Sequence, residues 1–225
     1  MNIGIIIPDR GDRPELLEKC LRMIKAQTIN QFNFLKKFEI CLVDHKPVSN
    51  ECDITARYRK GYDYFRNKGF DILFLIENDD YYSPDYMLTM LQLWLDNGCK
   101  DIFGLQNTIY FHIGLRKYYT MFHRTRSSAM STLIKPDLTF DWCVDHQPYT
   151  DIHLWSTIKN GLTVKSPGNI CLGIKHGTGL CGGGMHTTEL NRYTEDDSNL
   201  EFLKRNTDSE SFKFYSNYKK NTLQL

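Results

Sequence analysis

The fold is indicated most clearly by residues 72–86, which read ILFLIENDDYYSPDY. Residues 72–76 form a continuous apolar run, which is typical of a central strand buried on both faces of a sheet. The acidic run 77–80 follows directly, and the next residues predict a helix from Ser83 to about Gly98. In open α/β sheets, ligands bind beyond the carboxyl ends of the strands. The acidic run therefore stands where a ligand site is expected.

The segments around this stretch alternate between strand and helix patterns. Apolar β-branched runs predict the strands, and apolar residues at helical spacing after a proline or an aspartate predict the helices. In chain order these elements are strand Ile3–Ile7, helix Pro14–Gln27, strand Phe38–Val43, helix Ile54–Asn67 and strand Ile102–Gln106. Such alternation implies right-handed crossovers and a mostly parallel sheet, so the predicted fold class is α/β.

The second half of the chain has a different pattern, with short aromatic-rich segments after Gln106 that favour antiparallel additions to the same sheet. A helix is predicted from Asp151 to Asn160, closed by Gly161, and the glycine-rich stretch 177–184 is predicted to be a loop. The polar segment from Asp196 onward has four aromatic residues that could dock it: Phe202, Phe212, Phe214 and Tyr215.

Length and composition describe one globular domain. The chain has 225 residues, 41% hydrophobic and 24% charged, with a formal net charge of +1. This balance excludes a disordered chain and offers no overall attraction for nucleic acid. The N-terminus lacks a basic n-region, and no apolar run reaches the roughly 18 to 20 residues of a membrane span, so a cytoplasmic protein is expected. The seven cysteines show neither zinc-ligand spacing nor a disulfide pattern, which predicts mostly buried thiols.

The acidic run 77–80 has two interpretations. Adjacent carboxylates at a strand end repel each other and favour a hard cation, which would in turn neutralise a diphosphate. A nucleotide diphosphate with Mg²⁺ or Mn²⁺ meets that need. The alternative is a solvated acidic turn before a capped helix, and the spacing alone does not separate the two interpretations.

Several motifs resemble, in the same order, those of family 2 glycosyltransferases with a GT-A fold. They are IGIIIPDRGDRPELL at 3–17 with CL at 20–21 and AQT at 26–28, VD at 43–44, TAR at 55–57 and ENDDYYSPDY at 77–86. The resemblance covers about the first hundred residues. It implies a Rossmann-like mixed sheet with flanking helices in a single domain over 1–225. Within it, 1–108 would be the nucleotide-sugar-binding half, 109–195 the acceptor and catalytic half, and 196–225 a C-terminal extension.

The resemblance implies a metal-dependent enzyme that moves a sugar from a nucleotide-diphosphate donor, with a UDP-sugar favoured, to an acceptor hydroxyl with inversion. Donor-binding positions would be Pro8, Asp9, Arg13, Asp44, Arg57, Asn78, Asp79, Lys175, Gly182 and Gly183. Metal ligands for Mn²⁺ or Mg²⁺ would be Asp80, Asp79 and His176, with His186 in reserve. Asn78 replaces a more usual aspartate, so the sequence leaves open which carboxylate binds the metal directly.

Residues 149–155, YTDIHLW, resemble the helix whose leading acidic pair supplies the base in inverting members of that family. Asp151 would then take the proton of the acceptor hydroxyl as its oxygen attacks C1 of the sugar. The alternative is that Asp151 merely caps the helix, since aspartate is common at that position. Asp145 is the reserve candidate for the base.

Residues 174–186, IKHGTGLCGGGMH, place Lys175 and two histidines around a glycine loop. Glycines permit close backbone approach to a ligand, and their amides together with a lysine could cradle phosphate. A late histidine completes the metal shell in many GT-A enzymes, which makes His176 the first choice and His186 the second. An isolated histidine is more often structural than a ligand.

Other functions compete with this interpretation. A nucleotidyltransferase needs the same acidic pair and metal, but would usually have a glycine-rich loop after the first strand, where residues 8–13 contain a single glycine. A catalytically inactive nucleotide-sugar-binding module is suggested by Asn78. The acceptor is open between a glycan and a hydroxymethylated base in DNA. The latter is suggested by cations among aromatics at 116–119, 123–126 and 213–220.

Overall fold

The computed structural model describes residues 1–177 and 186–218 of the chain. The strands are β1 Asn2–Pro8, β2 Lys37–Val43, β3 Ile72–Leu75, β4 Tyr81–Tyr82, β5 Ile102–Leu105, β6 Asn107–His112, β7 Lys117–Phe122, β8 Thr132–Ile134, β9 Gly161–Val164, β10 Cys171–Lys175 and β11 Glu195–Asp196. The helices are α1 Pro14–Lys25, α2 Ile54–Phe65, α3 Tyr86–Asp96, α4 Thr150–Thr157, α5 Glu201–Asn206 and α6 Ser209–Asn217. Strands and helices alternate through the first half, as the sequence predicted.

The main sheet has the order β2-β1-β3-β8-β5-β9. Strand β1 pairs in parallel with β2 and β3, and β5 pairs in parallel with β9. Strand β8 runs antiparallel between β3 and β5, so the sheet is mixed. The predicted α/β class, a mixed sheet with flanking helices, is confirmed.

A second sheet has the order β11-β7-β6-β10-β4. Its strands come mostly from the second half of the chain, and the pairing is antiparallel except between β6 and β10. The prediction that this half only adds strands to the first sheet is therefore wrong. Its strands β8 and β9 join the main sheet, whereas β6, β7, β10 and β11 belong to the second sheet. Strand periodicity indicates which residues share a face of a strand, but it does not indicate which strands pair at long range.

The main sheet is buried on both faces because its strands β1 and β3 are apolar over residues 3–7 and 72–75. Ile3, Ile5 and Ile7 of β1 belong to one cluster of buried residues, with side chains from α1 and α3. Ile6, between them, belongs to a second cluster with residues of α2. Alternate side chains of a strand point to opposite faces, so helices must cover the sheet on both sides.

Helix α2 packs directly on β1, and one glycine permits this approach. A Cβ on Gly61 would lie 2.3 Å from Ile6 Cγ2. No side chain larger than hydrogen fits there without a shift of helix or strand. The close packing holds the first turn of α2, with Arg57, beside the carboxyl ends of β1 and β2.

The C-terminal helices cover one edge of this core. Leu203 of α5 and Tyr215 of α6 are buried, and the aromatic residues expected to dock this segment do pack against the core: Phe202, Phe212 and Phe214. The Tyr215 hydroxyl donates a hydrogen bond of 3.2 Å to the Asp80 carbonyl oxygen, which ties α6 to the acidic run.

The free thiols of the described residues are Cys20, Cys41, Cys99, Cys143 and Cys171, of which Cys20 and Cys171 are buried. Cys52 is disulfide-bonded, which the sequence spacing did not predict. None of the helices in the described part of the chain has the length and apolar character needed to cross a membrane.

Candidate functional site

A cavity of about 280 Å³ opens beyond the carboxyl ends of β1 and β3, the position at which open α/β sheets bind ligands. Its basic lining residues are Arg10, Arg13, Arg57, Arg126, Lys175 and Arg192, and its acidic ones are Asp12, Asp53, Glu77, Asp79, Asp151 and Glu189. Apolar and hydroxyl side chains complete the wall, among them Tyr58, Tyr110, Met121, Ser128, Met130, Tyr149 and Ile152. The cavity therefore suits a ligand with separate charged and uncharged parts.

Most positions that the sequence assigned to a donor do line this cavity: Pro8, Arg13, Arg57, Asn78, Asp79 and Lys175. Asp9 lies buried behind it and accepts a hydrogen bond of 2.5 Å from Asn78 Nδ2. Asp44, by contrast, is exposed at the end of β2 and is not among the lining residues. Gly182 and Gly183 lie outside the described residues.

Arg57 joins the carboxyl ends of β1 and β2. Its buried guanidinium donates to the carbonyl oxygens of Asp9, Val43 (2.9 Å) and His45 (2.8 Å). It also forms an ion pair of 2.8 Å with Asp53 at the start of α2. Buried carbonyl groups need such partners, so Arg57 shapes the cavity as well as lining it.

The side chains of the acidic run diverge after β3. Asn78 turns back toward Asp9, and Asp79 turns toward Arg13 and His176. Asp80 accepts a hydrogen bond of 2.7 Å from the backbone amide of Ile174 in β10, and it is completely buried. Consecutive side chains of this run thus serve different partners, and only part of the predicted acidic motif faces the cavity.

Asp79, Arg13 and His176 meet at one point. Arg13 Nη1 donates to Asp79 Oδ2 and lies 3.0 Å from His176 Nε2, while Asp79 Oδ2 lies 3.0 Å from the same histidine nitrogen. Burial raises the pKa of the Asp79 carboxyl, but Arg13 and His176 outweigh it and hold that pKa well below its ordinary value. Asp79 is therefore an ionised carboxylate in a buried place.

These contacts cannot all be ordinary hydrogen bonds. A guanidinium only donates and an ionised carboxylate only accepts, so a single imidazole nitrogen cannot serve both Arg13 and Asp79. The 3.0 Å between Asp79 Oδ2 and His176 Nε2 instead suits two ligands of one cation. Ligands about 2.1 Å from a metal ion and at right angles lie about 3 Å apart.

His186 completes this group. Its imidazole is buried, and the ring centroid lies 4.8 Å from that of His176. Burial lowers the pKa of His186, followed in effect by the charge of Lys175, so the ring is neutral. Its Nδ1 is buried and has no hydrogen-bond partner among residues 1–177 and 186–218. A neutral imidazole with a buried unsatisfied nitrogen is suited to hold a metal ion.

The ligand atoms of Asp79, His176 and His186 all lie within 4.8 Å of one another, and these residues therefore fit a divalent cation. Imidazole nitrogens suit first-row transition metals, whereas Mg²⁺ prefers oxygen ligands only. Of the ions that the sequence suggested, this donor set favours Mn²⁺ over Mg²⁺.

A second acidic group overlaps the first and feels the charge of a buried lysine. The carboxylates of Glu77, Asp79 and Asp80 also lie within 4.8 Å of one another. Burial lowers the pKa of Lys175, but the charges of Asp80, Glu77 and Asp79 outweigh it and raise that pKa. Burial raises the pKa of Asp80 well above its ordinary value despite Lys175. Asp79 therefore belongs to both groups, whereas Asp80 belongs only to the group that contains no histidine.

Asp151 lines the same cavity from the first turn of α4 and forms an ion pair with Arg126. The side chains are 14% and 27% exposed, so the pair is mostly shielded from water. Burial raises the pKa of Asp151, and Arg126 opposes that rise without cancelling it. Tyr149, not Asp151, occupies the N-cap position, so the interpretation of Asp151 as the helix cap is wrong. Asp145, the reserve candidate, pairs with Arg59 at 2.7 Å and is not a lining residue.

Sequence reasoning did not assign a role to several residues that line the cavity. Glu77 is the first residue of the acidic run and lines the cavity, but it was not among the predicted donor or metal positions, although its place at a strand end was a usable signal. Arg126 has no such signal, because its partner Asp151 is 25 positions away. Ser128 is buried, and its hydroxyl is within hydrogen-bonding distance of two side chains. Its Oγ lies 2.7 Å from the Tyr110 hydroxyl and 3.2 Å from His123 Nε2.

Some of the side chains that suggested a nucleic-acid surface are engaged within the molecule. Tyr118 stacks on Phe202 with ring centroids 3.7 Å apart, and Tyr119 packs edge-on to Tyr193. Arg126 is paired with Asp151. Tyr118, Tyr119 and Arg126 are therefore packing and ion-pair residues, whereas Arg124 is exposed, and Lys219 and Lys220 lie outside the described residues.

Comparisons with known proteins give only a distant likeness. No protein-family profile matches the sequence, and no curated protein is similar to it. Among solved structures, S. aureus TarS superposes with a TM-score of 0.46 at 14% sequence identity. The superposition covers 77% of this chain and 37% of TarS, so the chain spans well under half of that protein. Nothing about activity follows from a likeness at this level.

Proposed function

We propose that the protein is a metal-dependent glycosyltransferase that uses a nucleotide-diphosphate sugar. The observation that carries the proposal is the juxtaposition of two features at one cavity. Asp79 belongs both to the cavity wall and to a buried group with His176 and His186 that fits a divalent cation. The carboxylate of Asp151 lines the same cavity. A cation for a diphosphate and a base for an acceptor are the two requirements of sugar transfer from such a donor.

The diphosphate would lie at the end of the cavity that contains Asp79. A bound Mn²⁺ supplies charge neutralisation for the diphosphate, which is the leaving group of the reaction. Lys175 and Arg13 line the cavity near Asp79 and add positive charge beside the acidic run. Cations fixed in a partly buried site stabilise the charge that develops on a departing phosphate oxygen.

Asp151 would act as the general base. Its carboxylate takes the proton of an acceptor hydroxyl while the hydroxyl oxygen forms a bond to C1 of the sugar. The bond from C1 to the diphosphate oxygen breaks on the opposite face, and the diphosphate leaves with the electron pair. This single displacement inverts the configuration at C1, as in other reactions in which a base activates the attacking oxygen.

The nucleoside would occupy the part of the cavity near Pro8 and Arg57, at the carboxyl ends of β1 and β2. We favour a UDP-sugar as donor and a carbohydrate hydroxyl as acceptor. The wall near Asp151 contains Tyr149 and Ile152, each partly exposed, which suits the apolar face of a sugar ring.

Mass spectrometry of reaction products tests the proposal directly. The protein is incubated with Mn²⁺, a panel of nucleotide sugars, and either glycans or hydroxymethylated DNA. We expect one donor to lose its sugar to an acceptor or, slowly, to water. Asp79→Asn should abolish this activity, whereas Asp145→Asn, at an exposed ion pair outside the cavity, should not.

Absence of both transfer and donor hydrolysis with every donor would contradict the proposed enzyme. A donor that binds without being cleaved would instead indicate an inactive binding module. Transfer of a nucleotidyl group would indicate a nucleotidyltransferase. Transfer to DNA alone would keep the chemistry and replace the proposed acceptor class.

A further inference from the structure

Arg13 lies between the groups that would bind the metal ion. Its Nη1 donates to Asp79 Oδ2 and lies 3.0 Å from His176 Nε2, and its Nη2 donates to Asn78 Oδ1 at 3.3 Å. Only 17% of the Arg13 side chain is exposed. One guanidinium therefore contacts both a carboxylate oxygen and an imidazole nitrogen of the group that fits a cation.

The arginine and a metal ion need the same electrons. A guanidinium has no acceptor, so its contact with His176 Nε2 is a hydrogen bond only when that nitrogen accepts. The accepting nitrogen of an imidazole has a single lone pair, which is also the pair that would bind a metal ion. Arg13 Nη1 also donates to Asp79 Oδ2, although a carboxylate oxygen has a further lone pair that a metal ion could use. The guanidinium and a metal ion therefore exclude each other at His176 Nε2, where a single lone pair is available.

We propose that Arg13 is the resident cation of this site, and that a divalent ion must displace its guanidinium to bind Asp79 and His176. The inference rests on the metal site of the proposed function and adds a step to it. Without a metal ion, Arg13 balances the buried charge of Asp79, which would otherwise cost folding free energy. The displaced guanidinium still belongs to the cavity wall, where an anionic donor would meet it.

Arg10 provides a matched comparison within the same cavity. Its guanidinium is held by Asp53 at 2.7 Å and by the carbonyl oxygens of Glu51 at 2.9 Å and Ser49 at 3.0 Å. It has no hydrogen bond to Asp79 or His176 among the contacts of the described residues. Loss of Arg10 changes the charge of the cavity without clearing the proposed metal position.

Isothermal titration calorimetry with Mn²⁺ alone, without a donor, tests the inference. It compares the wild-type protein with Arg13→Ala, Arg13→Gln and Arg10→Ala. Removing a competing charged hydrogen bond should tighten Mn²⁺ binding to Arg13→Ala by about tenfold or more. Arg13→Gln, which has no charge, should also bind Mn²⁺ more tightly than wild type. For Arg10→Ala the affinity should change by only about threefold or less, because Arg10 is paired with Asp53 and competes for no metal ligand.

Thermal unfolding in EDTA supplies the second readout. Arg13→Ala should unfold at a lower temperature than wild type, and Mn²⁺ should raise its midpoint more than it raises that of wild type. If Arg13→Ala does not fold without metal, the Mn²⁺ affinity of Arg13→Gln is compared with that of wild type, and this comparison tests the inference.

The outcomes separate this inference from the proposed function. Folded Arg13 variants that bind Mn²⁺ no more tightly than wild type would overturn the inference and leave the metal site standing. Mn²⁺ binding to the Arg13 variants but not to wild type would support it. No Mn²⁺ binding to any of the folded proteins would overturn both the inference and the metal dependence of the proposed function.

Discussion

The substitution Asp151→Asn separates a catalytic carboxylate from a structural one. Asparagine keeps the size of the side chain and one oxygen but cannot accept the proton of an acceptor hydroxyl. If Asp151 is the base, turnover should fall by about a hundredfold or more. Donor affinity should stay within about threefold, because the residue would act on the acceptor and not on the donor.

The effect of the same substitution on stability follows from the ion pair with Arg126. A hydrogen bond to a charged group contributes about 1.5 to 3 kcal/mol. The side chains here are 14% and 27% exposed, and the retained amide oxygen still accepts a hydrogen bond from Arg126. We therefore expect a loss of about 1 kcal/mol, which corresponds to a decrease in Tm of about 2–4 °C for a chain of this length.

Thermal unfolding and steady-state turnover, measured on the same preparation, test both parts. Asp145→Asn is the control, because Asp145 also pairs with an arginine but lies outside the cavity. The control should keep its turnover. An Asp151→Asn protein that retains more than about a tenth of the wild-type turnover would refute the assignment of Asp151 as the base.

Further predictions concern pH, metal, packing and architecture. Burial raises the pKa of Asp151 and the charge of Arg126 lowers it. Arg126→Gln should therefore raise that pKa and move the acid limb of the kcat/KM profile to higher pH. An acid limb at the wild-type pH would contradict a role of the Arg126–Asp151 ion pair in setting this pKa. Calorimetry of a UDP-sugar or GDP-sugar should give weaker donor binding in EDTA than in Mn²⁺, and equal affinity would exclude a metal role in donor binding. Gly61→Ala places a Cβ 2.3 Å from Ile6 Cγ2 and should destabilise the fold by about 1–3 kcal/mol in urea unfolding. The control Gly168→Ala has no atom within 4 Å of its new Cβ, so its free energy of unfolding should stay close to that of wild type. Arg57→Leu leaves buried carbonyl oxygens without their partner and Asp53 with Arg10 alone, and it should cost about 3 kcal/mol or more. A urea midpoint near that of wild type would show that this network is dispensable.

The early strands and helices were predictable because their determinants are local. Ile3–Ile7 and Ile72–Ile76 are apolar at every position, which only a strand buried on both faces explains. The structure has these strands at Asn2–Pro8 and Ile72–Leu75, with helices on both sides. The second half was less predictable because its short strands are divided between two sheets. Which strands pair there depends on packing between residues far apart in the sequence.

The site was predictable in position more than in detail. The acidic run follows a buried strand in the sequence, so its place at the edge of the sheet depends only on neighbouring residues. The directions of its side chains depend on distant partners. Asp80 turns to the Ile174 amide, 94 positions away, and Asp79 turns to His176, 97 positions away. No local pattern contains those contacts.

The sequence by itself determined that the protein has an α/β core with carboxylates at a strand end, because apolar periodicity and strand-end placement act over a few residues. Only the tertiary structure decided which of those carboxylates meets an imidazole. It brought His186 beside Asp79 and His176, and it left Asp80 in a group of carboxylates without a histidine. It also placed Arg13 at the shared nitrogen of His176. The physical reason is that electrostatic contacts between side chains are made through space, across turns whose geometry depends on the packing of the whole core.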